Sequence, residues 1–361
     1  MKEVVHLLSK ISGIKKAQIQ EIAENFNSDN IEELTSSYIK AFSANAKIDK
    51  GLLEKLIERY KKISDIHEQN SIGYVTFLDE EYPDVLRQIS SAPKVLYYKG
   101  DIKLLKNEKN IGVVGSRKPT DYGKWATKAL VKDLILNDFC IVSGFAGGID
   151  SCSHKAAIEN NGKTICVFGT PITKIYPANN RRLYDDVLFS GGLIISEHDA
   201  TEQTHPAFFA QRNRIISGLS SGLLIVEAGV KSGTLITARY ALDQGKYIFA
   251  VPGNINSINS QGTNMLIKDG AVMTTSVTDI LFEYGYRPET ANVKAKEESH
   301  EDLSIDEQKI YELVRTYGQC TAEKIAINSD LKIQDILAIL NILDIKGYIL
   351  YDGFMATYFT R

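Results

Sequence analysis

Residues 139–157, Phe-Cys-Ile-Val-Ser-Gly-Phe-Ala-Gly-Gly-Ile-Asp-Ser-Cys-Ser-His-Lys-Ala-Ala, constrain this chain more than any other stretch. An apolar run from Phe139 to Val142 enters Ser143-Gly144-Phe145-Ala146-Gly147-Gly148, and an alanine-rich segment follows Asp150. That order predicts a buried strand, a tight turn and a helix N-terminus. Glycines let the backbone approach a ligand closely and take up φ > 0. The helix behind them offers unpaired N–H groups and the positive end of its dipole. A phosphate is the natural guest. Nucleotide, sugar phosphate and nucleic-acid backbone all remain open at this point.

The same strand-to-helix alternation recurs from about residue 108 to 285. Strands are predicted at Ile111–Val114, Phe139–Val142, Thr164–Phe168, Leu193–Ser196, Leu223–Val226, Tyr247–Val251 and Ala271–Met273. Helical spacing separates them, as in Lys124–Leu136, Asn180–Leu188, Asn213–Leu219 and Leu235–Leu242. Val/Ile/Leu strands with helical crossovers imply a doubly wound, mainly parallel sheet covered on both faces, an extended Rossmann-like α/β fold. Ligands of such sheets bind at the carboxyl ends of the strands. Tyr74–Phe77 and Val95–Tyr98 add strands at one edge.

The remaining segments set the expected domain organisation. Residues 1–66 read as short helices around Ser12-Gly13-Ile14, a small SAM-like or helix-hairpin-helix-like domain. Its Lys15, Lys16, Lys61 and Lys62 form either a solvated face or a hold on DNA phosphates. The sheet domain takes residues 67–287. Residues 288–302 carry charge with almost no large apolar group and read as a linker. In 303–361, three helical patterns precede Gly347–Phe354, which alternates like a hairpin, as in a winged helix.

Composition excludes several classes. No apolar run reaches the roughly 18–20 residues of a membrane span, and the N-terminal sequence lacks a signal peptide's apolar core, so a cytoplasmic protein is expected. The cysteines Cys140, Cys152, Cys166 and Cys320 show no C-x-x-C pairing and are expected as buried, reduced thiols. No His/Cys cluster has metal-ligand spacing. The net charge of −3 means that any nucleic-acid binding must come from a local basic patch.

Informative residues gather at the predicted carboxyl ends. They are Ser116 and Arg117 after the first parallel strand, Gly144–Gly148 and Asp150 after the second, and Gly169 after the third. Arg212, Asn213 and Arg214, then Ser232, Gly233 and Thr234 complete the set. Together they describe an anion site. A nicotinamide or flavin site fits poorly, because Gly144-x-x-Gly147-Gly148 is not G-x-G-x-x-G and the next strand ends in Gly169 without a ribose-binding carboxylate. The P-loop sequence is absent. His154 beside Cys152 resembles a nucleophile–base pair but lacks an orienting third group, and reads better as a buried histidine that hydrogen-bonds the turn.

These blocks resemble the DNA-processing protein A (DprA/Smf) family. The resemblance is carried by Gly115-Ser116-Arg117, Ser143-Gly144-x-Ala146-x-Gly148-Ile149-Asp150 and Tyr176-Pro177-x-x-Asn180. Arg212-Asn213-Arg214-Ile215-Ile216, Ser232-Gly233-Thr234-Leu235-Ile236-Thr237-Ala238-Arg239 and Ala250-Val251-Pro252-Gly253 follow in family order. The family implies single-stranded DNA binding without known catalysis or cofactor, homodimers, and loading of the RecA recombinase onto strands displaced from single-strand-binding protein during natural transformation. Arg117, Arg181, Arg212 and Arg214 then add charge-assisted bonds to phosphates, and Phe145 either stacks a base or plugs the core beneath the turn.

Three departures stand out. Thr170-Pro171-Ile172-Thr173 replaces a Gly-Leu-Asp-like stretch; Ala178 replaces a basic residue after Tyr-Pro, with Arg181 and Arg182 one helical turn on; Ala207-Phe208-Phe209-Ala210 replaces Phe-Pro. Two other readings compete. Glu227 ahead of Ser232-Gly233-Thr234 faintly resembles a nucleoside-monophosphate phosphoribohydrolase. The winged helix alone suggests a duplex reader, but its Ile333–Ile345 helix has no arginine, which fits protein contact or dimer packing better.

Overall fold

The computed structural model describes residues 2–11, 14–25, 50–285 and 303–358. The expected linker at 288–302 and the Ser12-Gly13 turn lie outside them. The chain divides into two compact units, 1–287 and 288–361.

The first unit is built on a nine-stranded sheet. Its strands are β1 (Gly73–Thr76), β2 (Val95–Gly100), β3 (Asn110–Val114), β4 (Cys140–Ser143), β5 (Thr164–Phe168), β6 (Leu193–Ser196), β7 (Gly222–Ile225), β8 (Tyr247–Ala250) and β9 (Val272–Met273), in the order β1-β2-β6-β5-β4-β3-β7-β8-β9. From β6 to β9 every pairing is parallel, while β2 runs antiparallel to both β6 and β1. The chain starts the parallel array at β3, winds outward through β4, β5 and β6, then returns to β7 on the other flank of β3. The direction of winding therefore reverses at β3, and the crevice left there is where open α/β sheets receive ligands.

Alternation within the strands explains why helices cover both faces. Cys140 and Val142, Leu223 and Ile225, and Ile248 and Ala250 point into one core with the Pro206–Leu219 and Thr234–Asp243 helices. Ile111 and Val113, Ile141, Leu224 and Phe249 point into the other, against Leu130, Val131 and Leu134 of the Asp121–Leu136 helix and Ala156 of the Ile149–Glu159 helix. Burying one such aliphatic side chain contributes about 1.5–3 kcal/mol.

The N-terminal helices share the first core: Val5, Leu7, Leu8, Ile19 and Ile22 join Val75, Leu86 and Leu96. An ionic cluster ties them to the loop after β6, where Asp199 accepts from Lys10 at 2.7 Å and from Arg59 at 2.9 Å. Asp199 is fully buried, and although burial alone pushes its carboxyl up, the charge and hydrogen bond of Lys10 hold it below the usual carboxylate range.

The second unit has helices Ile305–Tyr317, Ala322–Ile327 and Ile333–Ile345 and a three-stranded antiparallel sheet of β10 (Gln319–Thr321), β12 (Met355–Tyr358) and β11 (Ile349–Tyr351). Its own core holds Ile310, Val314, Ile325, Ile336, Leu340 and Ile349. The first helix starts in a reciprocal cap between Ser304 and Glu307.

Among the described residues no helix is long and apolar enough to cross a membrane.

Candidate nucleic-acid interface

At the reversal point the loops after β3, β4 and β7, with the first turns of the Pro206–Leu219 helix, enclose a cleft of about 750 Å³. Local sequence builds each wall. β4 ends at Ser143, whose hydroxyl donates to Val113 O at 2.6 Å and locks β4 against β3. The backbone then turns through Phe145 at φ 58° and Gly148 at φ 84° before the Ile149–Glu159 helix begins. A Cβ on Gly148 would lie 2.3 Å from Ser116 O, so the glycine turn and the turn after β3 are packed backbone to backbone. Ile149 N–H donates to that same oxygen at 3.1 Å. On the opposite wall, Ser232 Oγ accepts from Thr234 N–H at 3.1 Å and opens the Thr234–Asp243 helix.

Of the residues expected from sequence, Ser116, Arg117, Ala146, Asp150, Arg212, Asn213, Ser232, Gly233 and Thr234 line this cleft. Arg117 is exposed and aims its charge at solvent. Gly147 is not part of the lining and has nothing within 4 Å of where a Cβ would stand. Backbone N–H groups, hydroxyls and a free guanidinium on a concave wall are the means by which proteins hold phosphate oxygens.

Arg212 has a different task from the one expected. It is only 5 % exposed, and its guanidinium donates to Gly144 O and Val167 O, pinning the carboxyl ends of β4 and β5 together. Burial lowers it to about 10, while Asp150 opposes the shift, so it remains a cation at neutral pH. Burial likewise raises the Asp150 carboxyl against the pull of Arg212. Asp150 accepts from Ala146 N–H at 3.3 Å, which fixes the glycine turn from below. Gly144 is buried between the two; a Cβ there would lie 2.7 Å from both Arg212 Nη2 and Asp150 Oδ2.

Other expected contacts lie elsewhere. Phe145 does not project from the turn: it is fully buried, with Phe168 at 5.0 Å and His154 at 5.9 Å, which makes it the core plug and removes it from base stacking. Arg214 faces away from the cleft and pairs through Nη2 with both Glu197 oxygens, at 2.7 and 2.8 Å, while its Nε donates to Ser91 O. A guanidinium so occupied has no fork left for phosphate. Gly169 is covered by Phe209, and Asn180 donates to Phe145 O and Ser151 Oγ, bracing the turn from behind. Arg181 is exposed outside the cleft and pairs with Asp185 on its own helix at 3.4 Å. His154 packs on Phe145 but makes no hydrogen bond to the turn; its Nδ1 lies 2.7 Å from Thr164 Oγ1 in the core.

Two further residues belong to the cleft without being expected there. Lys231, in the loop after β7, is an exposed second cation lining the cleft, and Phe209 puts an aromatic ring on the wall, packed on Tyr176 at 5.2 Å. Lys231 sits inside the Gly229–Thr234 loop and Phe209 inside the Ala207–Ala210 substitution, so both are visible in the sequence as residues; only their facing is not. Glu227, the acid of the hydrolase reading, is 1 % exposed and accepts from Thr120 N–H at 3.0 Å and from the Thr120 hydroxyl. It lies outside the cleft lining, so a substrate there has no carboxyl from Glu227 to meet.

Known proteins resemble this chain in sequence and in fold. Residues 73–285 match the family described as DNA recombination-mediator protein A. The DNA processing protein DprA of Streptococcus pneumoniae is 41 % identical over 233 residues, 64 % of this chain and 82 % of that one. The DprA of Bacillus subtilis is 37 % identical over 253 residues, 70 % and 83 % of the two chains. The X-ray structure of the Streptococcus pneumoniae protein superposes with a TM-score of 0.63 at 34 % identity, covering 78 % of this chain and 98 % of that one. A structure of Helicobacter pylori DprA, described for its single-stranded DNA binding mode, superposes with a TM-score of 0.53 at 32 % identity, covering 58 % and 95 %. The large, mostly parallel sheet is thus similar to that of these solved structures. The chain belongs to the DNA recombination-mediator protein A (DprA/Smf) family.

Proposed function

We propose that this protein binds single-stranded DNA without sequence preference in the cleft at β3, and hands the strand to a RecA recombinase during recombination and DNA uptake. The observation that carries the reading is that the exposed cations Arg117 and Lys231 line one cleft together with a wall of glycine and hydroxyl groups. That wall offers donors to phosphates and none arranged along a base edge, which suits backbone recognition. Ser116, Ala146, Asn213, Ser232, Gly233 and Thr234 frame the phosphate path; Gly144, Gly148, Asp150 and Arg212 hold it in shape. Phe209 supplies the ring for a base. Family membership supports the RecA step, a homodimer and the absence of a catalytic step, and the winged-helix unit fits a protein contact.

Anisotropy titration of labelled oligo-dT tests the reading. Arg117→Ala should weaken binding roughly tenfold, and with Lys231→Ala should cut the slope of log affinity against log salt by about 0.7 for each phosphate no longer neutralised. A random duplex should compete poorly. A folded double variant with wild-type affinity and salt slope would remove the cleft from DNA binding. In a second arm, RecA ATPase on a strand coated with single-strand-binding protein should rise when this protein is added; no rise would leave strand binding without the loading step.

A further inference from the structure

We propose that the Tyr122–Trp125 face of the Asp121–Leu136 helix is a second contact surface for the single strand, a shelf on which bases leaving the cleft stack. The proposal rests on the reading above and extends the strand's path. Trp125 is 65 % exposed and Tyr122 44 % exposed, a large aromatic area left in water on the outer face of the helix. The two rings stack at 6.1 Å with 29° between their planes. Tyr122 is held in place because its hydroxyl donates to Pro252 O at 2.8 Å. A shelf fixed in this way loses little side-chain freedom when a third flat ring lands on it.

The shelf continues the cleft. Arg117, on the cleft wall, is followed by Lys118, whose carbonyl accepts from the cleft residue Asn259 at 2.9 Å. Two residues on, Thr120 caps the helix that carries both rings, accepting from Gly123 N–H. Lys118 and Lys128 are exposed on either side of the aromatic pair, whereas Lys124 pairs with Asp121 at 2.8 Å. Exposed rings alternating with cations fit a polynucleotide strand: the cations follow phosphates, and any base can stack on an aromatic face. Charge complementarity and continuity with the cleft favour a strand over a second copy of the chain as occupant.

The sequence contains one tryptophan, so intrinsic emission reports on Trp125 alone. The test titrates the full chain with oligo-dT of about 6 and about 20 nucleotides, lengths that bracket the site sizes of stacking platforms. The longer strand should quench the emission, and Trp125→Ala should weaken its binding roughly 5- to 150-fold, the range for one stacked base. Trp125→Phe should retain most of the affinity, and the short strand, held by the cleft, should bind Trp125→Ala as well as wild type. Two results would overturn the shelf while leaving the cleft intact: Arg117-dependent binding of the long strand with unchanged emission, or emission that changes with protein concentration alone, which assigns the face to self-association. If neither strand binds, the proposed function and the shelf fall together.

Discussion

Gly148→Val is expected to destabilise the first unit by at least about 3 kcal/mol and to abolish strand binding, the sum of a backbone conformation available only to glycine and a clash with no flexible partner. Gly148 has φ 84° and ψ −129°, and a Cβ would stand 2.3 Å from Ser116 O and 2.7 Å from the Cα of Arg117. Both neighbours are main chain, so relief requires moving the turn that presents Arg117. It also breaks the bond from Ile149 N–H to Ser116 O. Gly147 is the internal control: its Cβ position is open, so Gly147→Ala should change stability by no more than about 0.5 kcal/mol. Urea denaturation followed by circular dichroism measures both. A Gly148→Val protein as stable as the Gly147→Ala protein would mean that the two turns are not rigidly packed, and the cleft would lose its structural basis.

Why some of this is legible in the sequence and some is not follows from what each signal encodes. The strands of the parallel array are continuous runs of Val, Ile and Leu between glycines, and the predicted Thr164–Phe168 and Leu193–Ser196 coincide with β5 and β6. Such runs have one physical outcome, burial on both faces. The Pro206–Leu219 helix is expected from its spacing to start only at Asn213, because its first turns carry exposed or half-buried residues without periodicity. Proline at its first position and the His205 ring accepting from Ala207 N–H set its true start. The glycine turn is legible for the same reason as the strands, since its residue types leave few alternatives. The arginines are not. Arg117, Arg181, Arg212 and Arg214 are alike as letters, yet one is free in the cleft, one pairs along its own helix, one is bonded to two carbonyls, and one is locked to Glu197. Which partner an arginine finds depends on chain brought close from 17 to 68 residues away in the last two cases, and that distance is outside any local pattern. Phe145 is hidden in a similar way: position 145 follows a glycine in a turn, but its left-handed φ swings the ring under the sheet end and not over the cleft.

Acidification should unfold the first unit well above the range where its carboxylates titrate. His6 and His154 are 1 % and 0 % exposed, and burial, the largest cause for both, lowers each from 6.5 to about 3. Nearby positive charge adds to the shift, from Lys10 for His6 and from Arg212 for His154. Thr164 donates its hydroxyl hydrogen to Ile141 O at 2.8 Å, so the His154–Thr164 bond puts the ring proton on Nδ1. The added proton must go to Nε2, which is buried without a partner, as is Nδ1 of His6. The folded pKa values are depressed, so between pH 6.5 and about 3 the unfolded chain holds more protons than the folded one. Stability is then complete above the unfolded value and is lost as pH falls. At pH 5 the loss is about 2 kcal/mol per histidine and about 4 kcal/mol for the pair, a large share of the roughly 5–15 kcal/mol that holds a domain. Asp199 adds its own loss only further down, since its shift lies below the ordinary carboxylate value. Denaturation midpoints at pH 7.5 and pH 5 should therefore separate widely; burial lowers His67 in the same way, to about 4, so His154→Gln should recover about a third of the difference. Equal stability of the wild-type protein at the two pH values would show that these rings accept protons inside the fold, and so that water or a carboxylate reaches them.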